Sequence, residues 1–175
     1  LALVSLPSFD ANAFARGITT KEYRQLADDP NQPLFPRAVS GTFPPGSTIK
    51  TVVASAGLME GTITPSTTVL STGGIHVGPW FFPDWKAGGH GITDVTKAIA
   101  QSVNTFFYAV GGGWESIQGL GIDRLDTYFK RFHLGAKLGI DLPGEAAGFV
   151  PTAEWKQRVK GEPWYIGDTY HVSIG

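Results

Sequence analysis

The stretch GTFPPGSTIK, residues 41–50, decides how the chain is read. Pro44-Pro45-Gly46 ends whatever precedes it, because two fixed φ angles and a glycine make a turn. From Ser47 onward the apolar residues Ile49, Val52, Val53, Ala56 and Met59 recur at helical spacing, and Gly61 is placed to cap the end. The spacing predicts a helix over 47–59 with Ser47 at its tip and Lys50 one turn on. Residues i and i+3 share a helix face, so the hydroxyl and the amine can approach each other. A serine needs an adjacent base to act as a nucleophile. A lysine amine becomes that base once burial or another cation lowers its pKa. The unpaired N–H groups of a first turn favour an oxyanion beside it. Taken alone, Ser-x-x-Lys occurs often by chance, and the pair reads more readily as an N-cap serine and a solvated lysine.

A second element, Ser102-Val103-Asn104, stands at a joint between two helical patterns. A second hydroxyl near the lysine can relay a proton to a leaving amine. An asparagine amide offers both a donor and an acceptor to a peptide group. A buried serine and a helix-capping asparagine are the plainer alternatives.

Around these motifs the pattern is mixed. Residues 1–6 read as a strand ending at Pro7, and the closing HVSIG as a second strand-like run. Asp10–Arg37 is polar and proline-rich, a surface excursion with one helical turn near Thr20–Leu26. Residues 62–91 hold many glycines, prolines and aromatics and read as irregular but packed. A helix is expected from Thr93, with its hydroxyl as cap. It leads to the aromatic run Thr105–Tyr108 and the stop Gly111-Gly112-Gly113. Another is expected over Ile122–Phe132 with Leu125, Tyr128, Phe129 and Phe132 on one face. Pro151-Thr152-Ala153-Glu154-Trp155 resembles a capped helix start.

Bulk properties exclude several classes. The 175 residues suit one domain or a large part of one, and 42% hydrophobic against 17% charged residues supports a packed core. A net charge of -1 gives no electrostatic case for nucleic acid. The absence of cysteine removes disulfides, thiolate metal sites and a cysteine nucleophile. No apolar run is long enough to span a bilayer. Both ends are read as cut, which makes the chain an internal fragment of a longer protein.

Three other features are weighed and set aside. His76, Asp84 and His90 are metal-ligand types close in sequence, yet three such residues in a glycine-rich loop, with no fourth in view, define no site. No metal and no cofactor is expected. The aromatics from Trp80 to Trp85 are read as core or loop packing. Glu145, in Leu142-Pro143-Gly144-Glu145, is read as a turn residue and not as a deacylating base.

Taken together, Phe43-Pro44-Pro45-Gly46 before Ser47-Thr48-Ile49-Lys50, then Ser102-Val103-Asn104 with Thr105-Phe106-Phe107-Tyr108, resemble the motifs of the penicillin-binding proteins. LALVSLPSFDANAF, Asp84-Trp85-Lys86, Gly121–Leu125, Gly139–Glu145 and Trp164-Tyr165-x-Gly167-Asp168-Thr169 are similar to the elongation-type class B members. The likeness runs over essentially the whole chain. It implies an α+β fold, part of the serine β-lactamase/transpeptidase-like fold: mainly its helical lobe plus a strand of the antiparallel sheet. Residues 1–175 are then a partial penicillin-binding transpeptidase domain. The implied activity is a D,D-transpeptidase cross-linking peptidoglycan stem peptides, with β-lactams as substrate mimics. The implied roles are Ser47 as nucleophile, Lys50 as its base, Ser102 as proton relay and Asn104 as substrate-binding residue. A membrane-anchored parent in the bacterial envelope, on the outer side of the inner membrane and with a glycan-synthase partner, is implied as well. Some of these relatives resemble metal binders through a cysteine beside the second-motif serine. Here that position is Val103.

One family motif is missing. The only Lys-Thr is Lys50-Thr51, and Val52 follows it instead of glycine. In the family that third motif supplies a second cation, an oxyanion N–H and a strand edge for the substrate. The chain alone is therefore expected to be inactive. A non-catalytic β-lactam-binding sensor or scaffold is the competing reading, and a serine β-lactamase the third.

Overall fold

Helices are the main regular structure of the chain. A computed structural model describes residues 2–175. In chain order the helices are α1 (Asn12–Ala15), α2 (Thr20–Ala27), α3 (Arg37–Ser40), α4 (Lys50–Met59), α5 (Val95–Ala100), α6 (Asn104–Gly112), α7 (Gly121–Arg131), α8 (Ala153–Lys160) and α9 (Ile166–Val172). A single 3-10 turn, Gly46–Ile49, leads into α4. The strands are β1 (Val69–Ser71), β2 (Gly74–Val77), β3 (Trp80–Pro83) and β4 (Gly91–Thr93). They pair as two antiparallel ribbons, β1 with β4 and β2 with β3. Among the described residues no helix is long and apolar enough to cross a membrane.

The chain divides into two compact units. One joins the residues up to Phe43 with Ala136–Gly148. Its α2 begins with a reciprocal capping box between Thr19 and Glu22. Glu145 organises its later loop: the carboxylate accepts from the N–H groups of Leu138, Gly139 and Ile140 at 2.6, 3.0 and 3.2 Å. These bonds lower the Glu145 pKa, that from Leu138 first, and give the residue a loop-holding role.

The other unit holds Pro44–Gly135 and Phe149–Gly175. Its centre is α6, in which every residue from Thr105 to Gly111 is buried. A helix apolar all round must be covered on all sides. Here α4, α5, α7, α9 and β1 supply the cover. The aromatic run explains the position: Phe106 and Phe107 are fully buried, each worth roughly 1.5–3 kcal/mol of transfer free energy. Gly111 and Gly112 let α9 come close. A Cβ on Gly111 would run into Ser173, and one on Gly112 into the ring of Tyr170.

Several local expectations change. Residues 2–6 form no strand, and HVSIG belongs to the end of α9 and the turn after it. Apolar content alone does not distinguish a short strand from a helix end. The 62–91 region is more regular than its composition implies, since it contains β1, β2 and β3 and leads into β4. Asp94, not Thr93, caps α5, accepting from Lys97 N–H at 2.8 Å, while the Thr93 hydroxyl donates to the Gly91 carbonyl. Phe132 stands half exposed just past α7, whereas Leu125, Tyr128 and Phe129 are buried. Trp80, Phe81 and Trp85 are exposed, and of the aromatics in that stretch only Phe82 turns partly inward.

Candidate active site

The Pro44-Pro45-Gly46 turn delivers Ser47 to the 3-10 turn ahead of α4, with its side chain exposed. Lys50 starts α4 and is 2% exposed. The two do not hydrogen-bond directly. The hydroxyl of Ser102, from the α5–α6 joint, stands between them, 2.8 Å from Ser47 Oγ and 3.0 Å from Lys50 Nζ. The Lys50 amine also donates to the Ser102 carbonyl at 2.9 Å and to Asn104 Oδ1 at 2.5 Å. Its three protons thus have three acceptors, which is what an ammonium buried beside the Phe107 ring requires.

All four residues singled out in the sequence are therefore brought together. Ser102 reaches its place in a left-handed conformation, φ 54°, a strained geometry for a residue with a side chain and one that recurs at functional sites. Trp85 braces that joint from the β3–β4 loop: its indole N–H donates to the carbonyls of Gln101 and Ser102, both at 3.1 Å.

Electrostatics tune the lysine. Burial pushes the Lys50 amine down to about 8, and the Asp84 carboxylate opposes that fall. A base with a pKa near neutrality is suited to taking a proton and returning it. When Lys50 is neutral, its lone pair can accept from Ser102, and Ser102 can then accept from Ser47. A proton can thus leave Ser47 by a two-step hydroxyl relay. Burial also raises the Tyr108 phenol to about 12, so it stays neutral there.

Asp84 is the residue near the site to which sequence reasoning assigned no role. It is buried, and its carboxylate accepts from Asn104 N–H at 3.2 Å, Thr105 N–H at 2.9 Å and the Thr105 hydroxyl at 2.7 Å. Burial alone would raise its pKa; these bonds and that from Trp85 N–H outweigh it and hold the carboxyl below its ordinary value. The signal for it was local: Val103 precedes α6 and has no side-chain acceptor, so the exposed N–H groups of that helix need one from elsewhere.

A metal does not fit these groups. Asp84 and His90 adjoin, with Nε2 3.7 Å from Oδ1, but His76 stacks on Phe81 with ring centroids 4.6 Å apart, and Val103 offers no ligand. Among the described residues no three His, Asp or Glu side chains converge.

Comparison with known proteins gives the family. Residues 1–175 match the penicillin binding protein transpeptidase domain. The chain is 44% identical to the peptidoglycan D,D-transpeptidase MrdA of Escherichia coli K12, covering 100% of this chain and 27% of that protein. It spans about a quarter of the length of the curated relatives it matches. Among solved structures it resembles Pseudomonas aeruginosa PBP2 in complex with WCK 5153, at 38% identity and a TM-score of 0.87, over 98% of this chain and 38% of that one. The complex between PBP2 and MreC from Helicobacter pylori gives 35% identity and a TM-score of 0.87, over 98% of this chain and 31% of that one. The shared fold is that of penicillin-binding transpeptidase domains, of mixed helix and small sheets, and the chain belongs to the penicillin-binding protein transpeptidase family.

Proposed function

We propose that residues 1–175 are part of the transpeptidase domain of a peptidoglycan D,D-transpeptidase, with Ser47 as its nucleophile. Ser47 Oγ attacks the carbonyl of the penultimate D-Ala of a stem peptide. An ester bond to Ser47 forms, the amide bond to the terminal D-Ala breaks, and that D-Ala leaves as a free amine. The serine proton passes through Ser102 to Lys50 and returns through Ser102 to the departing amine. Asn104 binds the donor peptide. The amine of a second stem peptide then attacks the ester, which forms the cross-link and frees Ser47. β-Lactams acylate the same hydroxyl.

The observation that carries this reading is the Ser102 hydroxyl, within hydrogen-bond reach of both Ser47 Oγ and Lys50 Nζ. The relatives' names support peptidoglycan as the substrate, and the PBP2–MreC complex supports action within an envelope assembly. The family resemblance further supports a membrane-anchored protein on the outer side of the inner membrane, with a glycan-synthase partner.

Penicillin treatment of the full-length protein, followed by peptide mass spectrometry, tests the nucleophile. The adduct is expected on the peptide containing Ser47, and an adduct elsewhere sinks the assignment. Release of D-Ala from a stem pentapeptide separates a transpeptidase from a β-lactam sensor, which would acylate without that turnover.

A further inference from the structure

Helix α6 begins without a cap of its own. Val103 holds the N-cap position and contributes no side-chain hydrogen bond, yet Asn104 and Thr105 are the first residues of a helix packed through the core. The acceptor comes from 20 positions upstream, where the Asp84 carboxylate takes both N–H groups and the Thr105 hydroxyl. Its side chain is 0% exposed. It also accepts from Trp85 N–H at 2.8 Å, and Trp85 in turn holds the carbonyls of Gln101 and Ser102. His90 closes the same cluster, with Nδ1 3.0 Å from Gln101 Oε1. Every bond in this set ends on Gln101, Ser102, Asn104 or Thr105, or on Asp84 itself.

We propose that Asp84 is a positioning residue of the site: a buried carboxylate that fixes the first turn of α6, and with it Ser102 and Asn104, while placing a negative charge in the surroundings of the Lys50 amine. This rests on the reading of Ser47 and Lys50 given above. Asp84 touches neither substrate nor Ser47. It acts through the geometry of the two side chains that bind Lys50, and through its field on that amine.

The field has a definite sign. A carboxylate near Lys50 favours the ammonium form and so holds the base in reserve against the effect of burial. The other titratable groups facing this cluster are few. Tyr108, whose hydroxyl donates to the Pro83 carbonyl at 3.0 Å, stays neutral. His90 Nε2 lies 3.7 Å from Asp84 Oδ1 and makes no hydrogen bond. Lys97 donates to the carbonyls of His90 and Ile92, and Asp94 caps α5. The third-motif lysine of the family, which this chain does not contain, would act equally on wild type and variants.

The test is the pH profile of acylation by a fluorescent penicillin in the full-length protein, for wild type, Asp84→Asn and Asp84→Glu. Asp84→Asn keeps the size and one acceptor oxygen but loses the charge. Its profile is expected to move to lower pH, because the amine gives up its proton more readily. A residue that serves only as a structural cap would lower the plateau and leave the midpoint in place. Asp84→Glu keeps the charge but displaces the acceptor, so its midpoint should stay near wild type while the plateau falls about ten- to a hundredfold, as expected for small misplacements of a catalytic group. An unmoved midpoint in Asp84→Asn overturns the proposal. If that variant does not fold, a wild-type plateau in Asp84→Glu overturns it instead. Failure of the underlying reading looks different, since wild type itself would then show no acylation at Ser47.

Discussion

The hydroxyl of Ser102 lies 2.8 Å from the hydroxyl of Ser47, although 55 positions separate them in the chain. In the proposed mechanism that contact makes Ser102 the gate between the nucleophile and the buried lysine. It also makes the site depend on the α5–α6 joint as much as on the tip of α4.

Removal of that hydroxyl should therefore disable the relay. Ser102→Gly is the suitable variant, because φ 54° suits glycine and the backbone need not shift. Acylation by penicillin in the full-length protein should slow about a hundredfold or more, the usual scale for a lost proton-transfer group. A rate near wild type would mean that Ser47 reaches Lys50 without Ser102.

Lys50→Arg should also lose about a hundredfold or more in acylation rate. Arginine keeps the positive charge but does not deprotonate in a protein. Circular dichroism of the same samples checks that the fold survives, and near-normal acylation by a folded variant would remove Lys50 from the role of base.

The acylation rate should rise with pH until Lys50 has lost its proton. In the proposed mechanism the neutral amine is the base, and burial brings its pKa down to about 8. Below that value the ammonium dominates and the rate falls; above it the rate levels off. Stopped-flow labelling across pH 6–10 is the measurement, and a flat profile over roughly this range would contradict a titrating lysine base.

Gly111→Val should destabilise the fold. The added side chain meets Ser173 where α6 and α9 pack, and Leu125 lies beyond. Overpacking of this kind costs about 1–3 kcal/mol. A lower melting temperature is expected, and an unchanged one would show that α9 can move away freely.

The 175-residue chain should label with fluorescent penicillin far more slowly than the full-length protein. The chain has no Lys-Thr/Ser-Gly motif, and one lost oxyanion donor typically costs about a hundredfold or more. Equal rates per folded molecule would show that the first two motifs suffice.

Ser47, Lys50, Ser102 and Asn104 could be picked out from sequence because their signals are local. Pro44-Pro45-Gly46 sets a turn, the apolar spacing after it sets α4, and Gly113, the last of the three glycines, caps the end of α6, which itself includes Gly111 and Gly112. The Thr152 cap and the buried face of α7 were legible for the same reason: capping and helical periodicity involve residues within a turn or two of each other. What only the tertiary structure decided depends on contacts far apart in the chain. Helical spacing put Ser47 beside Lys50, but packing of α6 against α4 inserted Ser102 between them. Asp84 read as a metal-ligand type beside His76 and His90 that defined no site, until the fold brought it to the uncapped start of α6. The two ribbons between Val69 and Thr93 were hidden because short strands gain their stability from a partner strand, which composition does not name. The end of α9 read as a strand because a short apolar run fits either state, and its packing against Gly111 and Gly112 of α6 selected the helix.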